Sequence, residues 1–119
     1  MITADDLRQQ QCAPRQTALN ADEVASYLQA IDGWSLKDDE DGKIVKTFAF
    51  RDYHATLSFV NAIAEMIHAQ DHHPELLVSY NRCVVSYNTH SVNGGRGGLS
   101  LNDFICAARI DDIFNRSFT

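Results

Sequence analysis

Apolar residues Val24, Tyr27, Leu28 and Ile31 recur at the spacing of one helical face, which predicts a helix that begins at Asn20 and is ended by Gly33. Asn20 stands at the N-cap, and Asp22 and Glu23 fall in the first turn, where they complement the helix dipole. Trp34-Ser35-Leu36 alternates as a short strand, the acidic run Asp38 to Asp41 with Gly42 makes a turn, and Ile44 to Phe50 forms a second strand. The alternation of Ile44, Lys46, Phe48 and Phe50 against Val45, Thr47 and Ala49 leaves the buried face of that strand open. Asp52 caps the longest helix, about residues 53–71, with Tyr53, Leu57, Val60, Ala64 and Ile67 as its central stripe and Phe59 and Ile63 on its flank.

Leu76 to Tyr80 and Cys83 to His90 read as a hairpin joined by Asn81-Arg82, in which asparagine can take positive φ. In the second strand Cys83, Val85, Tyr87 and Thr89 share one face, and the more polar Val84, Ser86, Asn88 and His90 share the other. Asn93 to Gly98 is a glycine-rich loop around Arg96, read as a mobile rim; no Lys-Ser/Thr follows, so it is not a phosphate-binding P-loop. Ser100 and Asp103 form a capping-box pattern for a last helix reaching about Phe114, with Leu99 and Phe104 as a hydrophobic staple. That helix is apolar on two sides, Leu101, Phe104, Ile105 and Ala108 against Cys106, Ile110, Ile113 and Phe114, which predicts packing against another subunit as well. The order α-β-β-α-β-β-α predicts an α+β fold: a four-stranded antiparallel sheet with helices on one face. Residues 1–19 are polar and aperiodic and read as a flexible arm, leaving residues 20–119 as one domain.

Composition narrows the partners. The 119 residues carry a formal net charge of -6, which disfavours nucleic acid and anionic membranes. Cys12, Cys83 and Cys106 are far apart and form no CxxC pair, so neither a disulfide framework nor a structural zinc site is indicated, and Cys12 reads as an incidental surface thiol. With no apolar leader or spanning segment in view, a cytoplasmic location is expected.

The candidate chemistry lies in Asp71-His72-His73-Pro74-Glu75. Proline disfavours the α conformation before it, so the long helix must stop near Asp71 or His72 and leave two adjacent imidazoles at its exit. The antiparallel hairpin returns the end of its second strand beside Pro74, which brings His90 back towards them. Imidazole gives and takes protons near neutral pH, and the chemistry expected is acid–base. His68 and His72 at i and i+4, with His73 and His90, could hold a divalent metal, but the pair lacks the glutamate of a zincin motif. Asp71 and Glu75 read as groups that orient neighbouring imidazoles or cap backbone, and Asp103 reads as a cap that also fixes the loop or orients His90.

Asp71-His72-His73-Pro74-Glu75, followed by Tyr80-Asn81, Thr89-His90 and Gly98-Leu99-Ser100-x-x-Asp103, resembles the pterin-4a-carbinolamine dehydratases over about residues 20–116, including Gly33-Trp34. The resemblance implies dehydration of 4a-hydroxytetrahydropterin to quinonoid dihydropterin, which recycles the pterin cofactor of aromatic amino acid hydroxylases. It implies no metal or prosthetic group, since the pterin is the substrate, and a homodimer or homotetramer. It carries three active-site histidines onto His72, His73 and His90, supported by Asp103 and Thr89. His68 stands where many relatives have a glutamate, and the Ser91 to Gly98 loop is longer than in animal members. The alternative is a non-catalytic assembly partner: family members accompany a transcription factor in animals, and degenerate relatives assist Rubisco assembly.

Overall fold

The structure, a computed structural model, describes residues 2–37, 42–95 and 97–119. The expected turn at Asp38 to Asp41 and Arg96 lie outside the described residues. Four strands, β1 (Ser35–Lys37), β2 (Lys43–Ala49), β3 (Glu75–Ser79) and β4 (Arg82–Tyr87), form one antiparallel sheet in the order β1-β2-β4-β3. The helices are α1 (Ala4–Arg8), α2 (Ala21–Ala30), α3 (Tyr53–Gln70) and α4 (Leu101–Ser117). The α+β class and the order of the six larger expected elements after α2 hold, with α1 added in front. None of the described helices is long and apolar enough to cross a membrane.

β4 pairs on both edges, with Ile44↔Tyr87 on one side and Leu76↔Val85 on the other. Its central position explains why Cys83, Val85 and Tyr87 are fully buried, on the face expected from their alternation. The same face of β2 carries Ile44 and Phe48 into the core, and Phe48 packs on Phe59 of α3 and Phe114 of α4. Lys46 lies between these two on the inward side. Its charge is met there by Asp111, 2.8 Å away, which also accepts from Trp34 Nε1 at 3.0 Å. Trp34 is therefore a core residue with its polar edge satisfied.

Three expectations change. The buried face of α3 runs through Thr56, Phe59, Ile63 and Gln70, while Tyr53 and Leu57 of the expected central stripe are exposed. Polar groups can turn inward because they find partners: the Thr56 hydroxyl donates to the Asp52 and Tyr80 carbonyls, and the Gln70 amide binds residues 11 and 12. The hairpin turn is Tyr80-Asn81, one residue earlier than expected, because Ser79 pairs with Arg82; Asn81 keeps negative φ. The glycine-rich loop is pinned at its base by the Thr89–Gly98 bridge and by Asn93 N donating to the Gln16 carbonyl.

The first nineteen residues are not a loose arm. Thr3 caps α1 through a capping box with Asp6, and Leu7 is fully buried in the main core. Arg109 of α4 donates to the Gln10 carbonyl at 2.6 Å, and Asn102 exchanges hydrogen bonds with both backbone groups of Ala13. Part of the second apolar side of α4 is thus covered within this chain: Cys106 and Ile110 have no exposed surface. Ile113 and Phe114, the other two residues of that side, stay partly exposed. The signal for α1 was one leucine in a five-residue helix, too short for periodicity to register.

Replacing Leu7 with alanine is expected to cost about 2–4 kcal/mol in urea unfolding, as for a fully buried leucine; an unchanged midpoint would mean that α1 does not dock in solution. A second expectation concerns Asp111, whose carboxyl is pushed up by burial against the lowering effects of Lys46 and Trp34. A raised carboxyl pKa keeps a proton on the folded chain that the unfolded chain has lost, so this group's contribution falls as pH rises from 3.8 through the raised value. Melting temperatures of wild type and Asp111→Asn across roughly pH 4 to 7 should show wild type losing ground to the variant; the opposite trend would mean that Lys46 outweighs burial.

Candidate active site

The α3 helix ends where proline requires. Gln70 is its last residue, and Asp71 takes the left-handed conformation (φ 50°, ψ 42°), with its N–H bonded to the His68 carbonyl. Reversing the chain there turns His72 away from the helical face that His68 occupies, so the i, i+4 relation behind a metal pair is lost. Among the described residues no group of three or more His, Cys, Asp or Glu side chains is placed to hold a metal.

His72 instead turns towards the core. Its ring stacks on Tyr87 of β4, with centroids 5.1 Å apart and planes 17° from parallel, and the Tyr87 hydroxyl donates to the His72 carbonyl at 3.3 Å. Its Nε2 meets Asp103 Oδ1 at 2.6 Å, and Asp103 has no exposed surface. Asp103 is the third residue of α4, so its other oxygen completes the capping box by accepting from Ser100 N at 2.9 Å. That same Oδ2 accepts from the Thr89 hydroxyl at 2.9 Å.

The donor directions follow by elimination. A carboxylate only accepts, so the Thr89 hydroxyl spends its proton on Asp103, and the Ser100 hydroxyl 2.8 Å away must donate to Thr89. Ser100 in turn accepts from Asn102 N at 3.3 Å. With Asp103 ionised, the proton of a neutral His72 lies on Nε2, and Nδ1 is left with its lone pair free for chemistry. Burial pushes the Tyr87 hydroxyl far above its ordinary pKa, so the ring under His72 stays neutral.

Beside His72 lies a cavity of about 270 Å³, just below the roughly 300–1,000 Å³ that small-molecule sites occupy. His72, Thr89 and Asn102 line one part of it, and Cys12 and Arg15 of the N-terminal segment line another. That second wall was missed in the sequence. Gln70 Oε1 accepts from Cys12 N at 2.8 Å, and Asn102 Oδ1 accepts from Ala13 N and Arg15 Nε, each at 3.1 Å. The residues just before Asp71 and just before Asp103 therefore hold the segment that faces His72. The available signal was two amide side chains at helix positions where partners are required: Gln70 on an apolar face and Asn102 in a first turn.

The other expected residues lie nearby but apart from this network. Thr89 and Ser91 line the cavity, while His90 between them is exposed. His73 is also exposed, with Asp71 at 3.8 Å. Carrying the Glu75↔Ser86 register past the strand ends sets residue 73 across from 88, on the same side as 90. Among the described residues neither ring makes a ring contact or hydrogen bond to His72. Glu75 pairs with Lys43 at 3.3 Å instead of an imidazole, and His68 is exposed on α3. Asp103 orients His72, not His90.

The model of the family described as pterin 4 alpha carbinolamine dehydratase matches residues 17–113. The chain belongs to that family. A relative from Bdellovibrio bacteriovorus, provisionally named a pterin-4-alpha-carbinolamine dehydratase, is 49% identical over 118 residues, covering 99% of this chain and 96% of its own. One from Nitrosospira multiformis with the same provisional name is 45% identical, covering 94% of this chain and 96% of its own. A crystal structure described as a transcriptional coactivator/pterin dehydratase from Brucella melitensis superposes with a TM-score of 0.73 at 31% identity, covering 82% of this chain and 98% of that one. The two provisionally named relatives span nearly the whole chain, so the likeness to this family extends into the segment that walls the cavity.

Thr89→Val removes the hydroxyl that joins Asp103 to Ser100 while keeping the side-chain shape. Urea unfolding should show a loss of roughly 1–3 kcal/mol, the cost of leaving buried polar partners unmatched. An unchanged midpoint would mean that the carboxylate does not depend on this donor.

Proposed function

We propose that this protein catalyses the dehydration of 4a-hydroxytetrahydropterins to quinonoid dihydropterin and water, recycling the cofactor of aromatic amino acid hydroxylases. The observation that carries the reading is the His72–Asp103 pair, 2.6 Å apart, beside a cavity and inside a chain of the dehydratase family. In the reaction the N5–H proton is removed, the N5 electron pair forms the C4a=N5 bond, and the C4a–O bond breaks as its oxygen is protonated and leaves as water. One base and one acid suffice, and imidazoles fill both roles near neutral pH.

His72 is suited to take the N5 proton, because the imidazolium so formed lies against an anionic carboxylate. Protonation of the departing hydroxyl is assigned to His90, which follows the cavity-lining Thr89 in the chain and whose exposure lets solvent reset it. His73 positions the pterin. Asp103 and Thr89 act through His72 by fixing its ring. No metal or prosthetic group enters.

Stopped-flow measurement on freshly generated 4a-carbinolamine, with the spontaneous reaction subtracted, tests this. His72→Ala and His90→Ala should each lose about 10²–10⁴-fold of the catalysed rate, and His73→Ala should chiefly raise KM. Full rates in both of the first two variants would remove the histidine mechanism. The second reading, a non-catalytic protein partner, draws on the double description of the Brucella melitensis structure. A stable protein complex without any acceleration of dehydration would put it first.

A further inference from the structure

The proton-transfer scheme leaves two thiols unused. Cys12 Sγ and Cys106 Sγ are 3.5 Å apart, although 94 residues separate them in sequence. They differ in setting. Cys106 is fully buried in α4, whereas Cys12 is half-buried, sits in a segment outside helix and sheet and lines the cavity beside His72. The only other cysteine, Cys83, lies in the central strand with no exposed surface.

We propose that Cys12 and Cys106 form a peroxide-reactive thiol pair that closes to an intramolecular disulfide, fastening the wall of the His72 cavity to α4. The roles follow from access and environment. Cys12 can be reached from the cavity, and its thiol is shifted towards the thiolate by the hydrogen bond from Cys106, against the effect of burial, with further help from the charges of His72 and Arg109. The Cys106 thiol is pushed far up by that same hydrogen bond and by burial, so it keeps its proton until it is called on. Cys12 is the attacking sulfur and Cys106 the resolving one.

The steps balance. The Cys12 thiolate attacks one oxygen of hydrogen peroxide, the O–O bond breaks, and the hydroxide released combines with the proton Cys12 had given up, leaving a sulfenic acid and water. Cys106 sulfur then attacks the Cys12 sulfur; the S–O bond breaks, and the hydroxyl leaves with the Cys106 proton as a second water. Two thiols are oxidised and one peroxide is reduced. The sulfurs must close from contact to about 2.05 Å, a movement of roughly 1.5 Å that side-chain rotation in a non-helical segment can supply. A small-molecule thiol reverses the bond by exchange, so in a reducing compartment it forms only while peroxide is present. The thiol chemistry is independent of what the cavity binds.

The test treats the purified full chain with hydrogen peroxide, then denatures it, alkylates it and maps its peptides by mass. The expected product is a Cys12–Cys106 linked peptide within one chain, with Cys83 alkylated and a melting temperature at least about 5 °C higher, reversed by dithiothreitol. Cys106→Ser should leave Cys12 as a sulfenic acid captured by dimedone, and Cys12→Ser should leave Cys106 reduced. Should Cys106→Ser not fold, the wild-type map and Cys12→Ser still decide. Peroxide that leaves Cys12 a free thiol, links it to Cys83 or to another chain, or oxidises Cys106 in Cys12→Ser equally fast would overturn the proposal.

Discussion

A carboxylate with no exposed surface is costly: even after relaxation, moving such an ion out of water costs several kcal/mol, and only well-placed donors offset it. Asp103 meets this requirement with His72 Nε2–H on one oxygen and the Ser100 N–H and Thr89 hydroxyl on the other. Each donor comes from a different part of the fold: the exit of α3, the start of α4 and the chain just past β4. The N-terminal end of α4 adds its own favourable field for an anion. Because all three donors must arrive together, the position of the His72 ring is set by the same interactions that close the fold.

The next layer outward repeats this arrangement with amides. Gln70 and Asn102 stand one residue before Asp71 and Asp103, and both bind the backbone of residues 12–13. An amide carries donor and acceptor on one short arm, so each can hold an irregular segment whose backbone groups no helix or sheet would satisfy. The N-terminal residues are thereby tied to α4, cover part of its second apolar side, and line the cavity together with His72. Fold stability and cavity shape depend here on the same few hydrogen bonds.

What the sequence made legible tracks what is local. Asn20, Asp52 and Ser100 cap their helices as their residue types require, the His73-Pro74 step ends α3 at Gln70, and alternation in β4 places Cys83, Val85 and Tyr87 inside. These depend on neighbours within a few residues. Features decided by distant partners were not legible: the inward turn of Thr56 and Gln70, the Lys46–Asp111–Trp34 cluster, the docking of Leu7, and the Cys12–Cys106 contact. In each, a polar or isolated residue is buried because something far away in the chain meets it. Pattern reading found no partner for such residues because the partner lies far away in the chain.

The same distinction separates the histidines. His72 and His73 are adjacent, and the chain at a helix exit sends their rings to different sides, so one packs against Asp103 and the other is exposed. His90, exposed between two cavity-lining residues, lies on the side that His73 takes by strand parity. The His72 ring is aimed by Asp103, whereas the His90 ring is open to water. In the proposed elimination the base is His72, which Asp103 aims, and the acid is His90, which is open to water at the other end, in sequence, of the β3–β4 hairpin.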